Sequence, residues 1–114
     1  MRLSDYAFGR IRVDGQLCTT DLIVYPDRLE ENWRRRNGHR LAPEDLEGVL
    51  KRPPKVLVVG TGFSGCMAVA AETIKVLEVK GIEVRAYRTG DAAREFNRLK
   101  GEKSEVVAAL HLTC

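Results

Sequence analysis

The clearest feature of the hydrophobic pattern is an unbroken apolar run over residues 56–59, followed at once by closely spaced glycines. A short β-branched run without alternation is typical of a strand that is buried on both faces. We expect the glycines to turn the backbone sharply and to lead directly into a helix over residues 67–80. Such a turn leaves main-chain N–H groups unpaired, which favours an anion there. The glycines are Gly60, Gly62 and Gly65.

Further apolar runs in the second half of the chain indicate two β-α-β units around that strand. Strands are expected over residues 82–87 and 105–112, with a helix between them that ends at Lys100. Because strands that are joined through a helix run parallel and cross over in a right-handed sense, we expect three parallel strands.

In the first half, alternating residues predict a β-hairpin. Residues 8–13 alternate between apolar and charged side chains, Asp14-Gly15 is a strong turn signal, and residues 16–25 supply the return strand. The whole pattern predicts an α/β fold, a compact three-layer single domain over residues 1–114. In it, the N-terminal β-hairpin precedes a β-α-β-α-β unit around a mixed, largely parallel central sheet.

The segment between the hairpin and the buried strand is less regular. Leu29 and Trp33 are four residues apart and are expected to share one face of a short helical turn. A short helix is then expected to begin at Pro43 and to end before Pro53, because proline suits the first turn of a helix and restricts the residue before it.

The composition is that of a globular protein. Hydrophobic residues make up 44% and charged residues 31% of the 114 residues, and the net charge of +3 permits an acidic partner without requiring nucleic acid. No apolar run is long enough to span a membrane, and the first residues lack the apolar centre of a signal peptide. Three widely spaced cysteines indicate neither a disulfide framework nor a metal site, so we expect a reducing, cytoplasmic compartment and no metal. They are Cys18, Cys66 and Cys114.

The predicted topology brings three segments to one edge of the sheet: the glycine turn, the turn after the second parallel strand and the end of the last strand. We call this the carboxyl edge, because ligands of open parallel sheets bind at the carboxyl ends of the strands. It is a candidate site for a small anion such as a phosphate or a nucleotide-like group, with a purely structural turn as the alternative. The candidate ligand-binding residues are Gly60, Thr61, Gly62, Gly65, Cys66, Thr89, His111 and Thr113.

The glycine spacing matches the G-x-G-x-x-G fingerprint of dinucleotide-binding domains, but the rest of the sequence does not. Tyr87 and Arg88 stand where such a domain has an acidic residue. Three parallel strands are also predicted where such a domain has six. We therefore expect no cofactor.

Cys66 and His111 are the residues of this edge that could take part in catalysis. At the start of the predicted helix, the helix dipole would favour the Cys66 thiolate, and His111 would act as its base. The alternatives are a small packed thiol and a hydrogen-bonded histidine. We find no convincing catalytic set in the sequence.

Basic residues are concentrated around the single tryptophan. They could form a patch for phosphate or for an acidic partner, with cation–π support from the indole. The alternative is a solvated loop whose tryptophan fills the core. The candidate patch consists of Trp33, Arg35, Arg36 and His39.

Several separated segments together carry a resemblance to a known family. They are Phe8-Gly9-x-Ile11, residues 21–24 (DLIV), Trp33 with Arg35-Arg36 and Gly38-His39, Gly60-Thr61-Gly62, Gly81-Ile82-x-Val84, Thr89, Ala92, Asn97 and residues 107–114 (VAALHLTC). Over nearly its whole length the chain resembles a small domain of unknown function. That domain is shared by the adipogenesis-associated domain protein of animals and a mitochondrial respiratory complex I assembly factor.

The resemblance implies a compact layered α/β domain with a mixed central sheet and no established enzyme activity. The characterised eukaryotic members act through protein partners, and no catalytic residues carry over. The resemblance also implies that one edge is shaped by Gly60, Thr61, Gly62, Thr89, Asn97, His111 and Thr113.

Our first hypothesis is therefore a protein-interaction or assembly module without catalytic activity, acting through the carboxyl edge and the basic loop around Trp33. The alternative is a binding protein for a small anionic ligand at the turn from Gly60 to Gly65. An enzyme that uses Cys66 or His111 is the weaker alternative.

Overall fold

Residues 1–102 and 105–114 are described by the computed structural model, which gives this part of the chain ten strands and three α-helices. The strands are β1 (Leu3–Ala7), β2 (Arg10–Val13), β3 (Gln16–Cys18), β4 (Leu22–Val24), β5 (Leu29–Glu30), β6 (Arg40–Leu41), β7 (Val56–Thr61), β8 (Ala68–Val69), β9 (Glu83–Tyr87) and β10 (Val106–His111). The helices are α1 (Glu47–Lys51), α2 (Ala71–Val79) and α3 (Thr89–Lys100), and a short 3-10 helix over Pro43–Leu46 precedes α1.

The central sheet has five strands in the order β5-β4-β10-β7-β9. Strands β10, β7 and β9 run parallel, whereas β4 runs antiparallel to β10 and β5 runs antiparallel to β4. The prediction of a mixed, largely parallel sheet is confirmed. Strand β10 lies in the middle of the sheet, and its register places His111 beside Thr61 at the end of β7.

Both faces of the central sheet are covered, which gives the domain its three layers. Alternate residues of β7 face opposite cores: Val56 and Val58 lie in one, and Leu57 and Val59 lie in the other. Helix α3 and the small sheet β1-β2-β3 cover the first face, while α1 and α2 cover the second. Burial of apolar side chains on both faces explains why this strand shows an apolar run without alternation.

The predicted β-hairpin is present, but its return strand is shorter than expected. Asp14 and Gly15 have positive φ angles of 50° and 83°, as a tight turn between β2 and β3 requires. The single return strand predicted over residues 16–25 is wrong, because the chain leaves the small sheet after Cys18 and β4 joins the central sheet beside β10. All three residues of β4 are buried, so this segment needs a sheet that is covered on both faces.

The helical turn expected around Leu29 and Trp33 is also wrong. Leu29 lies in β5, where it pairs with Val24, and it packs against the core on the α3 side. Trp33 is buried in the opposite core. Pairing with β4 keeps the chain extended here, because it satisfies main-chain groups that an isolated helical turn leaves open.

The expectation that the glycine turn leads directly into a helix is wrong as well. The turn closes on itself through a hydrogen bond of 3.0 Å from the Met67 N–H to the Thr61 carbonyl. Residues 68–69 then form β8, which pairs with β6, and α2 begins only at Ala71. Pairing with residues 40–41, which are distant in the sequence, therefore delays the start of the helix.

Asn97 joins strand β1 to helix α3. Its side-chain oxygen accepts the Leu3 N–H at 2.9 Å, and its side-chain nitrogen donates to the Leu3 carbonyl at 2.6 Å. Because a helix rises about 1.5 Å per residue, Asn97 lies about 12 Å along α3 from Thr89. Asn97 therefore holds β1. The resemblance implied that it shapes the carboxyl edge, and the structure places it elsewhere on α3.

Replacing Asn97 by Ala should leave both main-chain groups of Leu3 without a partner. We expect the free energy of unfolding, measured in urea, to fall by about 1–3 kcal/mol. The control on the same helix is Arg94→Ala, which removes only an exposed ion pair with Asp91 and should cost less than about 1 kcal/mol. Equal losses in the two variants would contradict the role given to Asn97.

Candidate functional site

The ends of β7 and β10 and the start of α3 meet at the carboxyl edge, where Thr89 connects them. The Gly62 N–H donates to the Thr89 hydroxyl oxygen at 2.9 Å, and this hydroxyl donates to the His111 carbonyl at 2.5 Å. The Thr89 N–H donates to the Gly62 carbonyl at 3.2 Å. The structure therefore brings Gly62, Thr89 and His111 together, as the predicted topology requires.

Two of the glycines are needed because other atoms approach them closely. A Cβ at Gly60 would lie 2.9 Å from both the Thr89 hydroxyl oxygen and the Leu110 side chain. Gly62 has a φ angle of +112°, and a Cβ there would overlap the carbonyl of Cys114. Both glycines are therefore explained by packing within the protein, independently of any ligand.

Thr61 and Gly65 also have structural roles in the turn. The Thr61 hydroxyl donates to the Tyr87 carbonyl at 3.0 Å and so ties the end of β7 to the end of β9. The Gly65 N–H donates to the Gly62 carbonyl at 3.3 Å, and Gly65 has a φ angle of +77° that favours glycine.

The main-chain N–H groups of the glycine turn face the last residues of the sequence. The Phe63 N–H donates to the Thr113 carbonyl at 2.6 Å. The N–H groups of Ser64 and Cys66 donate to the main-chain oxygen of Cys114 at 3.2 Å and 3.0 Å. The N–H groups that we expected to face an anion are thus hydrogen-bonded within the chain, and Thr113 takes part through its main chain.

Cys66 lies outside the position expected for a catalytic thiol. It is exposed, and it precedes the first residue of α2 by five residues, too far for the dipole of that helix to act on it. The expectation of a thiol at a helix N-terminus is therefore wrong, and so is the alternative of a packed thiol. His111 has its Nδ1 atom within hydrogen-bond distance of other side chains.

A buried cluster of Asp21, His111 and Arg35 lies beside the carboxyl edge. Asp21 Oδ2 lies 2.8 Å from His111 Nδ1 and 2.9 Å from Arg35 Nη2. Arg35 Nη2 also lies 3.1 Å from His111 Nδ1. The other oxygen of the carboxylate accepts the Leu112 N–H at 2.8 Å. The exposed fraction of the Arg35 side chain is 4%, against 7% for His111 and 18% for Asp21.

The surroundings of Asp21 keep its carboxylate charged. Burial raises the pKa of Asp21, but hydrogen bonds from His111, from the Leu112 N–H and from Arg35 together outweigh burial and lower the pKa below its ordinary value of 3.8. The negative charge offsets that of the buried guanidinium, which would otherwise be costly to remove from water.

The predicted basic patch is divided between the interior and the surface. Trp33 is buried, and its indole N–H donates to a main-chain carbonyl at 2.9 Å. The Arg35 guanidinium lies 4.7 Å from the centre of the Trp33 ring. Arg36 and His39 are exposed. The four residues therefore do not form one exposed patch, because the Asp21 carboxylate holds Arg35 in the interior.

The basic loop and the carboxyl edge, which the sequence presents as separate surfaces, are in contact. Arg35 reaches His111, and the ring of His39 packs edge-to-face on the His111 ring with 6.1 Å between centres. Sequence reasoning missed Asp21, which joins the two. The available signal is its position directly before an apolar antiparallel strand, whose start lies at the same edge as the ends of the parallel strands.

Two exposed phenylalanines meet at this edge although they are far apart in the sequence. The Phe8 side chain is 56% exposed and that of Phe63 is 54% exposed, and their rings lie edge-to-face with 6.0 Å between centres. Tyr6 lies 6.4 Å from the Phe63 ring, and its hydroxyl donates to the Leu112 carbonyl at 2.8 Å. Sequence reasoning missed this pair, because apolar residues of a strand or turn are expected to face the core.

Other parts of the described structure offer less for a site. A cleft of about 370 Å³ lies at the opposite end of the sheet, and its lining includes Tyr25, Arg28, Arg52, Pro54 and Glu105 but none of the predicted site residues. Over residues 1–102 and 105–114, no cluster of three or more His, Cys, Asp or Glu side chains could hold a metal ion. No helix in these ranges is long and apolar enough to cross a membrane.

Comparison with known proteins identifies the family. A family model described as a protein of unknown function, DUF498/DUF598, matches residues 3–111. The chain belongs to this family. The match confirms the resemblance to a domain of unknown function, and no catalytic activity is established for the family.

Solved structures of similar proteins confirm the α/β fold. A conserved hypothetical protein from Pyrococcus horikoshii is 31% identical, with 100% of both chains covered and a TM-score of 0.83. A protein from Bartonella henselae, described as an outer membrane protein, is 25% identical over 98% of this chain and 94% of its own, with a TM-score of 0.81. A Bordetella pertussis protein described as a Mth938-like domain is 22% identical over 97% of this chain and 85% of its own, with a TM-score of 0.77.

Replacing Asp21 by Asn should leave the Arg35 charge buried without its partner, and we expect the free energy of unfolding at pH 7 to fall by about 3–5 kcal/mol. The pKa of Asp21 is lowered in the folded state, so the charged carboxylate stabilises the fold at pH values above its ordinary pKa. This contribution is lost as the pH falls through the lowered pKa. The difference between wild type and variant in urea unfolding should therefore shrink as the pH falls below the ordinary pKa of 3.8 and through the lowered pKa of Asp21.

The control for this variant is Asp91→Asn, which weakens an exposed ion pair and should cost less than about 1 kcal/mol. A difference between wild type and Asp21→Asn that stays constant over the acid range would show that the charge of Asp21 is not what stabilises the cluster.

Proposed function

We propose that this domain is a protein-interaction or assembly module, without catalytic activity of its own, which binds a partner protein through the carboxyl edge. The observation that carries the proposal is the pair of exposed, mutually packed phenylalanines, Phe8 and Phe63. Large apolar rings that are exposed side by side are typical of contact surfaces. The resemblance to a domain whose characterised members act through protein partners supports the same function.

The two rings are suited to act as rigid anchors. The Phe63 N–H is fixed by the Thr113 carbonyl at 2.6 Å, and the residue after Phe8 is fixed by the hydrogen bond of 2.9 Å from the Gly9 N–H to the Leu112 carbonyl. Because both backbones are held before a partner arrives, less conformational entropy is lost on binding.

Exposed arginines next to the two turns that carry the rings define the expected partner. Arg88 lies against the glycine turn, since a Cβ at Gly65 would be 3.5 Å from Arg88 Cγ. Arg10 directly follows Gly9, and both arginines are exposed. We therefore expect a partner protein that presents apolar side chains flanked by carboxylates.

The hydrogen bonds of the glycine turn support this proposal over an anion site at the turn itself. The N–H groups of residues 63, 64 and 66 donate to main-chain oxygens of residues 113–114, which a ligand would have to displace. A cytoplasmic location stays an expectation drawn from the cysteine content, while the outer-membrane description applies to the Bartonella henselae protein.

Truncating either ring should weaken binding to the partner. The partner would be isolated by affinity capture on the wild-type protein and then purified. For Phe8→Ala and Phe63→Ala we expect the dissociation constant, measured by titration calorimetry, to rise at least about tenfold. The matched control is Val79→Ala on α2, which removes an apolar side chain that is 81% exposed and should leave the affinity unchanged.

Both phenylalanines are largely exposed, so their truncation should change the midpoint of thermal unfolding little. An unchanged affinity in both phenylalanine variants, or an equal loss in the Val79→Ala control, would rule out this contact surface.

A binding protein for a small anionic ligand is the second candidate, and the atoms that favour it lie in the buried cluster. Within the residues that the structure describes, Arg35 Nε, Arg35 Nη1 and His111 Nε2 are buried without a hydrogen-bond partner. Such groups are rare in folded proteins. Each of these guanidinium N–H groups can donate a charge-assisted hydrogen bond to an oxygen of a phosphate or a carboxylate.

Thermal unfolding with inorganic phosphate, small carboxylic acids and nucleotides tests the second candidate. A ligand at about 100 times its dissociation constant should stabilise the protein by about 2.7 kcal/mol. We expect Arg35→Met to abolish this shift and Arg35→Lys, which keeps the charge but not the planar fork, to reduce it. The exposed neighbour serves as the control, since Arg36→Met should keep the full shift. No shift with any of these anions would dismiss the candidate.

A further inference from the structure

Two of the three cysteines meet where the glycine turn packs on the end of the described chain. The Cys66 N–H donates to the main-chain oxygen of Cys114 at 3.0 Å, and the Ser64 N–H donates to the same atom at 3.2 Å. Both thiols are free and exposed. The contact is close because a Cβ at Gly62 would occupy the position of the Cys114 carbonyl.

The spacing of the two main chains suits a covalent link. Disulfides form where the α carbons are about 4.4–6.8 Å apart. The hydrogen bond of 3.0 Å from the Cys66 N–H to the Cys114 main-chain oxygen brings the two main chains together, and both thiols are exposed.

We propose that Cys66 and Cys114 form a reversible disulfide, made by exchange with a small-molecule disulfide, which fixes the glycine turn to the segment over residues 112–114. In the first step one protein thiolate attacks a sulfur of the small disulfide, and a small thiolate leaves. The second protein thiolate then attacks the protein sulfur of this mixed disulfide, and a second small thiolate leaves. The two protons of the protein thiols pass to the two small thiolates, so the protein is oxidised by two electrons and the small disulfide is reduced.

Cys18 provides an internal reference for this chemistry. It is buried in the core beside α3, and burial raises the pKa of its thiol to about 11. The thiolate is the reactive form, and an oxidant must reach it. Exchange is therefore expected at the two exposed cysteines and not at Cys18.

The link has a consequence for the surface around the turn. Phe63 lies three residues before Cys66 in the same turn, so oxidation would fix the backbone that carries this ring. That consequence rests on the proposed interaction surface, whereas the disulfide itself does not.

The test is to incubate the full chain with oxidised glutathione, alkylate the remaining thiols in denaturant and measure the intact mass. We expect a monomer that has lost two hydrogens and carries one alkyl group, on Cys18, with a peptide map that joins Cys66 to Cys114. The melting temperature should rise by several degrees on oxidation and return with dithiothreitol, because the link constrains the unfolded chain.

Single variants separate this link from simple thiol reactivity. In Cys66→Ser and Cys114→Ser the remaining exposed thiol should carry one glutathione, and oxidation should leave the melting temperature unchanged. Both substitutions are at exposed positions, so the variants should fold as the wild type does. A wild-type protein that carries glutathione on both exposed cysteines, or that forms disulfide-linked dimers, would overturn the proposal.

Discussion

The carboxylate of Asp21 is the interaction on which the carboxyl edge depends. Its two oxygens accept hydrogen bonds from the Leu112 N–H and from Arg35. The main-chain carbonyl of Asp21 accepts the Trp33 N–H at 2.8 Å. Two segments that are distant in the sequence, the loop over residues 33–35 and the end of β10, are thereby fixed to one residue. Arg35 supplies the charge that balances this partly buried carboxylate. The basic loop and the end of β10 are therefore both held in place by Asp21 and its ion pair with Arg35.

Main-chain hydrogen bonds connect the residues held by Asp21 to the rest of the carboxyl edge. With its N–H fixed, Leu112 accepts the Gly9 N–H at 2.9 Å and the Tyr6 hydroxyl at 2.8 Å through its carbonyl. The next two residues accept the N–H groups of the glycine turn. The exposed rings of Phe8 and Phe63 thus rest on the same few residues at the end of the last strand, and so do the two exposed thiols.

The sequence was most informative where both faces of an element are buried. The apolar runs of β7 and β10 predicted the parallel centre of the sheet, because no other surroundings suit them. The passage of the chain from the small sheet to the central sheet after Cys18 could not be predicted, because the local alternation of residues does not say which sheet a strand joins. The delayed start of α2 depends on pairing between residues 40–41 and 68–69, which is a tertiary contact. For the site, topology predicted that Gly62, Thr89 and His111 converge. It could not predict that main-chain oxygens of residues 113–114 accept the N–H groups of the turn. Nor could it predict that the Arg35 side chain is buried, because arginine usually lies at the surface.

The position of β10 in the middle of the central sheet has a consequence for how the chain folds during synthesis. This strand follows all the other described strands in the sequence, yet it pairs with both β4 and β7. Until β10 leaves the ribosome, β4 and β7 each have an unpaired edge. Both cores also lack the apolar side chains that β10 contributes to them. Contacts between residues so far apart are slow to form and expose apolar surface in the meantime. The central sheet is therefore completed only once β10 has been synthesised, and until then the open edges of β4 and β7 are exposed to wrong pairing.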